Sequence, residues 1–243
     1  MNKTQKILVV SDVHSIFQDR SAVQAMMRVG NVFKPDQIIQ IGDLLDCYSL
    51  SKYDKNPKRM ASLTKEASSV RYLIDWMTST TKQPVHYLWG NHENRIQKTM
   101  LHNLSALHEH YQSLLNEDIL HLPSTWITHQ YGDVYRIGKL GFTHGDIIRT
   151  DGGASALAQR RKLGGSIIMG HGHRLAQTYF TDSLGQYTAV ECGHLSKSKH
   201  DYGLGPNNWQ QGFCVAYVEP SGNFTVDLVP VRKGKAWWRG EWV

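Results

Sequence analysis

Five short apolar runs in this 243-residue chain each end in a cluster of residues bearing carboxylate, amide or imidazole groups, four of the clusters with glycine among them. ILVV (7–10) runs into Ser11-Asp12-Val13-His14, and QIIQI (37–41) into Gly42-Asp43-Leu44-Leu45-Asp46. Val85 to Trp89 leads to Gly90-Asn91-His92-Glu93, residues 139–143 to His144-Gly145-Asp146, and SIIM (166–169) to Gly170-His171-Gly172-His173. Apolar runs of this length bounded by turn residues read as buried strands. Between the first three lie segments with helical spacing. Residues 19–33 carry Ala22, Val23, Met26, Met27, Val29 and Phe33, and residues 60–78 carry Leu63, Ala67, Val70, Leu73, Ile74 and Met77. A third such segment, 94–116, carries Ile96, Met100, Leu104, Leu107, Tyr111 and Leu114. Strand–helix alternation predicts a parallel α/β core. In such a sheet ligands bind beyond the carboxyl ends of the strands, so the five clusters are expected to meet in one crevice.

After Pro123 the pattern becomes mostly β. Strands are expected near 126–129, 133–137, 139–143, 166–169, 175–181, 187–192, 212–218 and 224–230, with one short helix at 154–161 and a hairpin turn at Ser221-Gly222-Asn223. Repeats, low-complexity tracts and linkers are absent from the sequence. We therefore expect a single domain over residues 1–243, with 47–60 and 94–125 as elaborations around the site.

No run of 18 apolar residues is present, and MNKTQKILVVSDVH lacks the apolar core and cleavage site of a signal peptide. Three cysteines without a CxxC pair fit a reducing compartment. A cytoplasmic protein with no membrane partner is expected. The net charge of +6 favours an anionic partner such as nucleic acid or a nucleotide, and 13 histidines favour metal or acid–base work.

Taken alone, a DxH or HxH pattern is more often structural than functional. Five clusters, each following an apolar run, are a different matter. Carboxylate, imidazole and amide oxygen suit Mn, Fe, Zn or Ni. Asp12 and His14 are two apart, as are His171 and His173, so each pair can face one side of an extended segment. Together with Asp43 they supply enough groups for two metals, and Asp43 can bridge them.

The order DxH, GDxxD, GNHE, HGD, GHxH over residues 12–173 resembles the calcineurin-like metallophosphoesterase superfamily. The stretch GDLLDCYSLSKYDK from Gly42 further resembles small metallophosphoesterases found in phage and bacterial genomes. The resemblance implies a four-layer α/β fold, a central β-sandwich of mixed sheets flanked by α-helices. It implies that Asp12, His14 and His173 hold one divalent ion, that Asn91, His144 and His171 hold a second, and that Asp43 bridges them. Manganese is the first expectation, with iron, zinc and nickel as alternatives. The implied catalytic residues are His92, facing the leaving group, and Asp46, orienting His92. Hydroxide generated between two cations about 3.5–4 Å apart would attack phosphorus in line. The expected reaction is hydrolysis of a phosphodiester in nucleic acid or nucleotides. The alternative is a phosphomonoesterase acting on proteins or nucleotides, and a third reading is a non-catalytic binding scaffold.

Some residues carry two readings. Arg95 follows GNHE, as an arginine does in the related protein serine/threonine phosphatases, and either clamps a phosphate or pairs within its own helix. Where those phosphatases carry an arginine after GDxxD, this chain has Cys47. Tyr48, a candidate substrate contact, and Tyr53 lie among Lys52, Lys55, Lys58 and Arg59; the set either stacks a base and steers a phosphate backbone or forms a solvated loop with two packing aromatics. Glu93 and Asp146 either orient the site or form loop salt bridges. Glu191, His194, Lys197, Lys199 and His200 read as a loop overhanging the site, which either contacts substrate or is plain surface. The tail from Lys233 to Trp242 binds a nucleic acid or a second subunit, or packs back onto the domain. The oligomeric state is left open.

Overall fold

The computed structural model describes residues 3–52, 55–103, 105–110, 119–197 and 207–243, side chains at 59, 107, 108 and 110 excepted. Strand β1 (Gln5–Val10) feeds two cores at once, because alternate side chains of a strand point to opposite faces. Leu8 and Val10 point toward helices, while Ile7 and Val9 point toward a second sheet. β2 (Gln37–Gln40) and β3 (Val85–Leu88) lie parallel beyond β1, with Val9 opposite Ile39 and Ile39 opposite His86. β4 (Trp126–His129) closes that edge.

The second sheet holds β5 (Tyr135–Ile137), β6 (Leu140–Thr143), β7 (Ser166–Met169), β8 (Leu175–Asp182) and β9 (Gly185–Cys192), in the order β5-β6-β7-β9-β8. β6, β7 and β9 run parallel, with Thr143 opposite Met169 and Met169 opposite Glu191. The chain then returns to the first sheet through β10 (Gly212–Val218), antiparallel to β1, and β11 (Phe224–Arg232).

Four layers result. Helices α1 (Arg20–Phe33) and α2 (Leu63–Thr80) cover the outer face of the first sheet through Val23, Met26, Val29, Val70, Leu73 and Met77. The two sheets pack through Ile7, Val9, Ile39, Ile41, Phe142, Ile168 and Val190. A fourth layer, helix α4 (Ala154–Leu163), sets Ala156 against Met169 and Ala189. The expected β-sandwich flanked by helices is thus the observed architecture.

Local chemistry explains the helix boundaries. Asp19 caps α1 by accepting from the N–H groups of Ser21 (3.0 Å) and Ala22 (3.3 Å), and the helix ends where Lys34 takes a left-handed φ of 51°. Ser62 caps α2 by accepting from the Lys65 N–H at 3.2 Å.

Two expectations are corrected. The helix expected over 94–116 is α3 (Asn94–Asn103), followed by a 3-10 turn at Ser105–His110. Among the described side chains of the expected stripe, Ile96 and Met100 are buried, and the three residues that end α3 are exposed. Leu104, Tyr111, Leu114 and the Leu107 side chain of the expected stripe lie outside the described residues. The tail adds two strands that the sequence reading lacked, β12 (Lys235–Trp238) and β13 (Glu241–Trp242), which extend the first sheet to eight strands. Trp238 packs edge-on against Phe33 with centroids 5.7 Å apart, so the tail does fold back onto the core. Among the described residues no helix is long and apolar enough to cross a membrane.

Candidate metal centre

The loops beyond β1, β2, β3, β6 and β7 meet at one edge of the sandwich, and their backbones are tied together directly. The N–H groups of Asp12 and His14 donate to the carbonyls of Gly42 (3.1 Å) and Asp43 (2.9 Å), and that of Gly170 donates to the His144 carbonyl (3.1 Å). Asp12, His14, Asp43, His171 and His173 all have φ between 50° and 65°, a region that non-glycine residues rarely occupy. Such strain is tolerated where the surroundings over-determine it, typically at functional sites. The glycines permit the close approach. A Cβ at Gly90 would stand 2.0 Å from Asp43 Oδ1, and one at Gly170 would stand 2.7 Å from Asp12 Oδ2.

All seven side chains expected to hold metal come together. Asp12, His14 and His173 have donor atoms within 4.8 Å of one another, as do Asp43, His144 and His171. His173 Nε2 lies 3.2 Å from Asp12 Oδ1 and 3.0 Å from His14 Nε2. Asn91 Oδ1 lies 3.0 Å from His144 Nε2. Asp43 stands between the groups, with Oδ2 3.8 Å from His14 Nε2 and 3.4 Å from His144 Nε2.

The hydrogen bonds at the rim test whether these donors fit a cation. His144 Nδ1 lies 2.8 Å from the Ile41 carbonyl and can only donate there. In the neutral ring its Nε2 then carries a lone pair, yet it faces the amide oxygen of Asn91 and the carboxylate of Asp43. His14 repeats the arrangement, with Nδ1 2.9 Å from Asp46 Oδ1 and Nε2 turned inward. Lone pairs aimed at one another need a positive charge between them. An imidazole anchored through one nitrogen to a carbonyl or carboxylate is the usual posture of a metal-binding histidine. The donor set fits divalent metal ions.

Electrostatics agree. Burial disfavours ionised Asp12, Asp43 and Asp46, but neighbouring imidazoles outweigh it and hold all three carboxyls below the usual range. The imidazoles of His173, His144 and His14, respectively, act most directly on them. Burial likewise opposes a charge on His144, yet Asp43 raises its pKa to about 9. His14 is also raised, against burial, by Asp12 and Asp46. His171 is lowered to about 4 by burial and by His144, and burial lowers His173. Without a cation, then, the carboxylates draw protons onto His14 and His144. A metal would take the place of those protons.

His92 sits at the rim, 15% exposed in its side chain. Its N–H donates to Asp43 Oδ1 at 3.0 Å, and its Nδ1 lies 2.7 Å from the Asp46 carbonyl and 3.1 Å from Asp46 Oδ1. Arg95 does more than pair within its helix. It donates to the Asp46 carbonyl (2.8 Å) and to His92 Nε2 (3.1 Å), beside the metal cluster.

Two buried glutamates hold the loops. Glu93 accepts from the N–H groups of Asp43 (3.0 Å), Leu45 (2.8 Å) and Gly90 (2.8 Å), so it locks two of the loops together. Glu66, which sequence reasoning missed, accepts from the N–H groups of Asp46 (2.9 Å), Cys47 (2.7 Å) and Tyr48 (3.2 Å) and from Ser15 Oγ (2.9 Å). The available signal was a lone acid on the face of α2 that carries Val70, Leu73 and Met77. Trp209 was also missed. Its ring lies 4.5 Å from that of His173, and no sequence pattern marks it.

Other expectations change. Tyr48 is 3% exposed, its hydroxyl accepts from the Asn56 N–H at 2.8 Å, and its ring packs edge-on against Phe17. It is a packing residue rather than a surface for substrate. Glu191 and His194 are fully buried, not on a surface loop: Glu191 lies in β9 and accepts from the Gly153 N–H at 2.9 Å, and His194 stacks on His173 with centroids 5.0 Å apart. β9 carries the Glu191 side chain inward, which its apolar neighbours Ala189 and Val190 foreshadow. Lys52, Lys55, Lys58 and Lys197 are exposed. Tyr53, Lys199, His200 and the Arg59 side chain lie outside the described residues. Asp146 takes the salt-bridge reading, 2.6 Å from Lys162 Nζ.

A sequence profile of the family described as calcineurin-like phosphoesterase matches residues 5–192. The Gene 54 protein of Mycobacterium phage D29 is 27% identical over 247 residues, and that of Mycobacterium phage L5 is 26% identical over 246. Each match covers 96% of this chain and 96% of its relative. Among solved structures, Vacuolar Protein Sorting 29 from Cryptosporidium parvum superposes with a TM-score of 0.52 at 14% identity, covering 96% of this chain and 94% of that one.

Proposed function

The chain belongs to the calcineurin-like phosphoesterase family, and on that premise we propose that it is a two-metal phosphodiesterase of the cytoplasm acting on nucleic acid or nucleotides. The observation that carries this reading is the position of Asp43, whose Oδ2 faces His14 Nε2 at 3.8 Å and His144 Nε2 at 3.4 Å. One carboxylate oxygen thereby belongs to both donor groups. Asp12, His14 and His173 would hold one ion, and Asn91, His144 and His171 would hold the other. When bound, two divalent cations, manganese first among them, supply hydroxide near neutral pH and offset charge on the phosphoryl oxygens.

The chain's own residues do the rest. His92 protonates the departing oxygen from Nε2, while the bond from its Nδ1 to Asp46 fixes the ring. Arg95 now donates to that Nε2, so it must release His92 when the proton is there. An arriving phosphate gives the guanidinium a better partner. Cys47 is fully buried, so no cation grips a phosphomonoester directly after the second cluster. Together with the net charge of +6, this favours a diester.

The test is metal analysis combined with turnover of bis-p-nitrophenyl phosphate and p-nitrophenyl phosphate. We expect two metals per chain and faster turnover of the diester. A preference for the monoester would point to a phosphatase. No metal and no turnover in a folded protein would leave a binding scaffold.

A further inference from the structure

Helix α3 leads away from the metal cluster with one face in the core and the other on a cavity. Ile96 and Met100 are buried. Arg95, Lys98 and His102 recur at helical spacing on the other side and, together with Asn91, Lys52 and Leu50, line a cavity of 370 Å³. That volume falls within the range of about 300–1,000 Å³ usual for small-ligand sites. No carboxylate lines the cavity among the described residues. Asn91 belongs to the metal cluster and Arg95 touches His92, so the cavity opens directly off the place where a scissile phosphate would lie. Arg95 to His102 spans about 10 Å of helix at about 1.5 Å per residue. A larger cavity lined by Arg136, Lys139 and Tyr187 contains no residue of the metal cluster.

We infer that this cavity is a second anion subsite, which holds the phosphate next to the scissile one through Lys98, with Arg95 between the two phosphates. The inference rests on the phosphodiesterase reading for the identity of the neighbouring group, but binding can be measured without turnover. A guanidinium has five N–H donors, and Arg95 commits two contacts to Asp46 and His92, so others remain for an anion. Lys98 is exposed and can act as a point charge. A second phosphate could come from a nucleic acid strand or from the pyrophosphate of a nucleotide. A substrate with a single phosphate would leave the subsite unused.

The experiment compares the full chain with its Lys98→Glu and Lys98→Ala variants, all loaded with Mn²⁺. Binding of a fluorescein-labelled trithymidylate and competition by ADP are followed by anisotropy at several salt concentrations. Turnover of the trinucleotide and of bis-p-nitrophenyl phosphate is measured alongside. We expect Lys98→Glu to weaken at least one of the two phosphate-rich probes fivefold or more. Lys98→Ala should reduce the logarithmic salt slope by about 0.7, the value for one contact to a single strand. Where the trinucleotide is the probe weakened and is turned over, the ratio of its kcat/KM to that for the small diester should fall in parallel. Loss confined to the trinucleotide assigns the subsite to a strand, and loss confined to ADP assigns it to a pyrophosphate. Binding of both probes within twofold of the parent, or equal losses on the trinucleotide and the small diester, would overturn the subsite. A parent that binds both probes but hydrolyses neither ester would sink the hydrolase reading alone.

Discussion

Asp46 Oδ1 lies 2.9 Å from Nδ1 of His14, so the carboxylate expected to serve only the rim histidine also anchors a residue of the metal cluster. Removing it should therefore do two things. Asp46→Ala is expected to weaken metal binding about 10–100-fold, the usual cost of losing such a supporting partner, as well as to slow turnover. Metal titration by calorimetry checks this. A variant that binds metal like the parent and is merely slow would confine Asp46 to His92.

His92 makes the contrasting case. His92→Ala is expected to keep two metals per chain and to lose about 10²–10⁴-fold in kcat, the usual range for a general acid. Loss of metal from this variant would make His92 a ligand.

Glu93 holds two loops through three backbone N–H groups in a fully buried place. Glu93→Ala would strand those donors, and each stranded group costs about 1–3 kcal/mol. Relaxation will recover part of this, so urea unfolding of the metal-free protein should show a loss on the order of 3 kcal/mol. A loss under about 0.5 kcal/mol, the usual size of a neutral surface change, would mean that the loops do not depend on it.

The metal-free protein should also show a characteristic pH dependence. His144 is raised from 6.5 to about 9 on folding, so its contribution to stability is full below pH 6.5 and lost as pH rises toward 9. His171 is lowered from 6.5 to about 4, so its contribution is full above pH 6.5 and lost as pH falls toward 4. The Tm of metal-free protein should therefore peak near pH 6.5, and saturating metal should flatten the alkaline limb by replacing the proton on His144. A profile unaltered by metal between pH 6.5 and 9 would place the metal elsewhere.

Much of this site was legible before any coordinates, because polar clusters directly after apolar runs announce both where the strands end and what the loops carry. Asp12, Asp43 and His171 needed only their position after ILVV, QIIQI and SIIM. The supporting residues were harder to read. Glu66 sits in a helix far from the motifs and acts through backbone N–H groups, which no side-chain pattern records. Glu191 was read with the polar residues that follow it, His194, Lys197, Lys199 and His200, although β9 buries it. Tyr48 follows a metal motif yet turns inward onto Phe17, a choice made by packing in three dimensions. The tail strands escaped notice because β12 and β13 are only four and two residues long, too short for a period to emerge.

The sharing of one carboxylate by two cations can be tested by electron paramagnetic resonance of the Mn²⁺-loaded protein, alongside its Asp43→Asn variant. The account predicts two Mn²⁺ per chain with an exchange-coupled spectrum, which the variant loses. A single isolated Mn²⁺ signal in the parent, or coupling that survives Asp43→Asn undiminished, would contradict it.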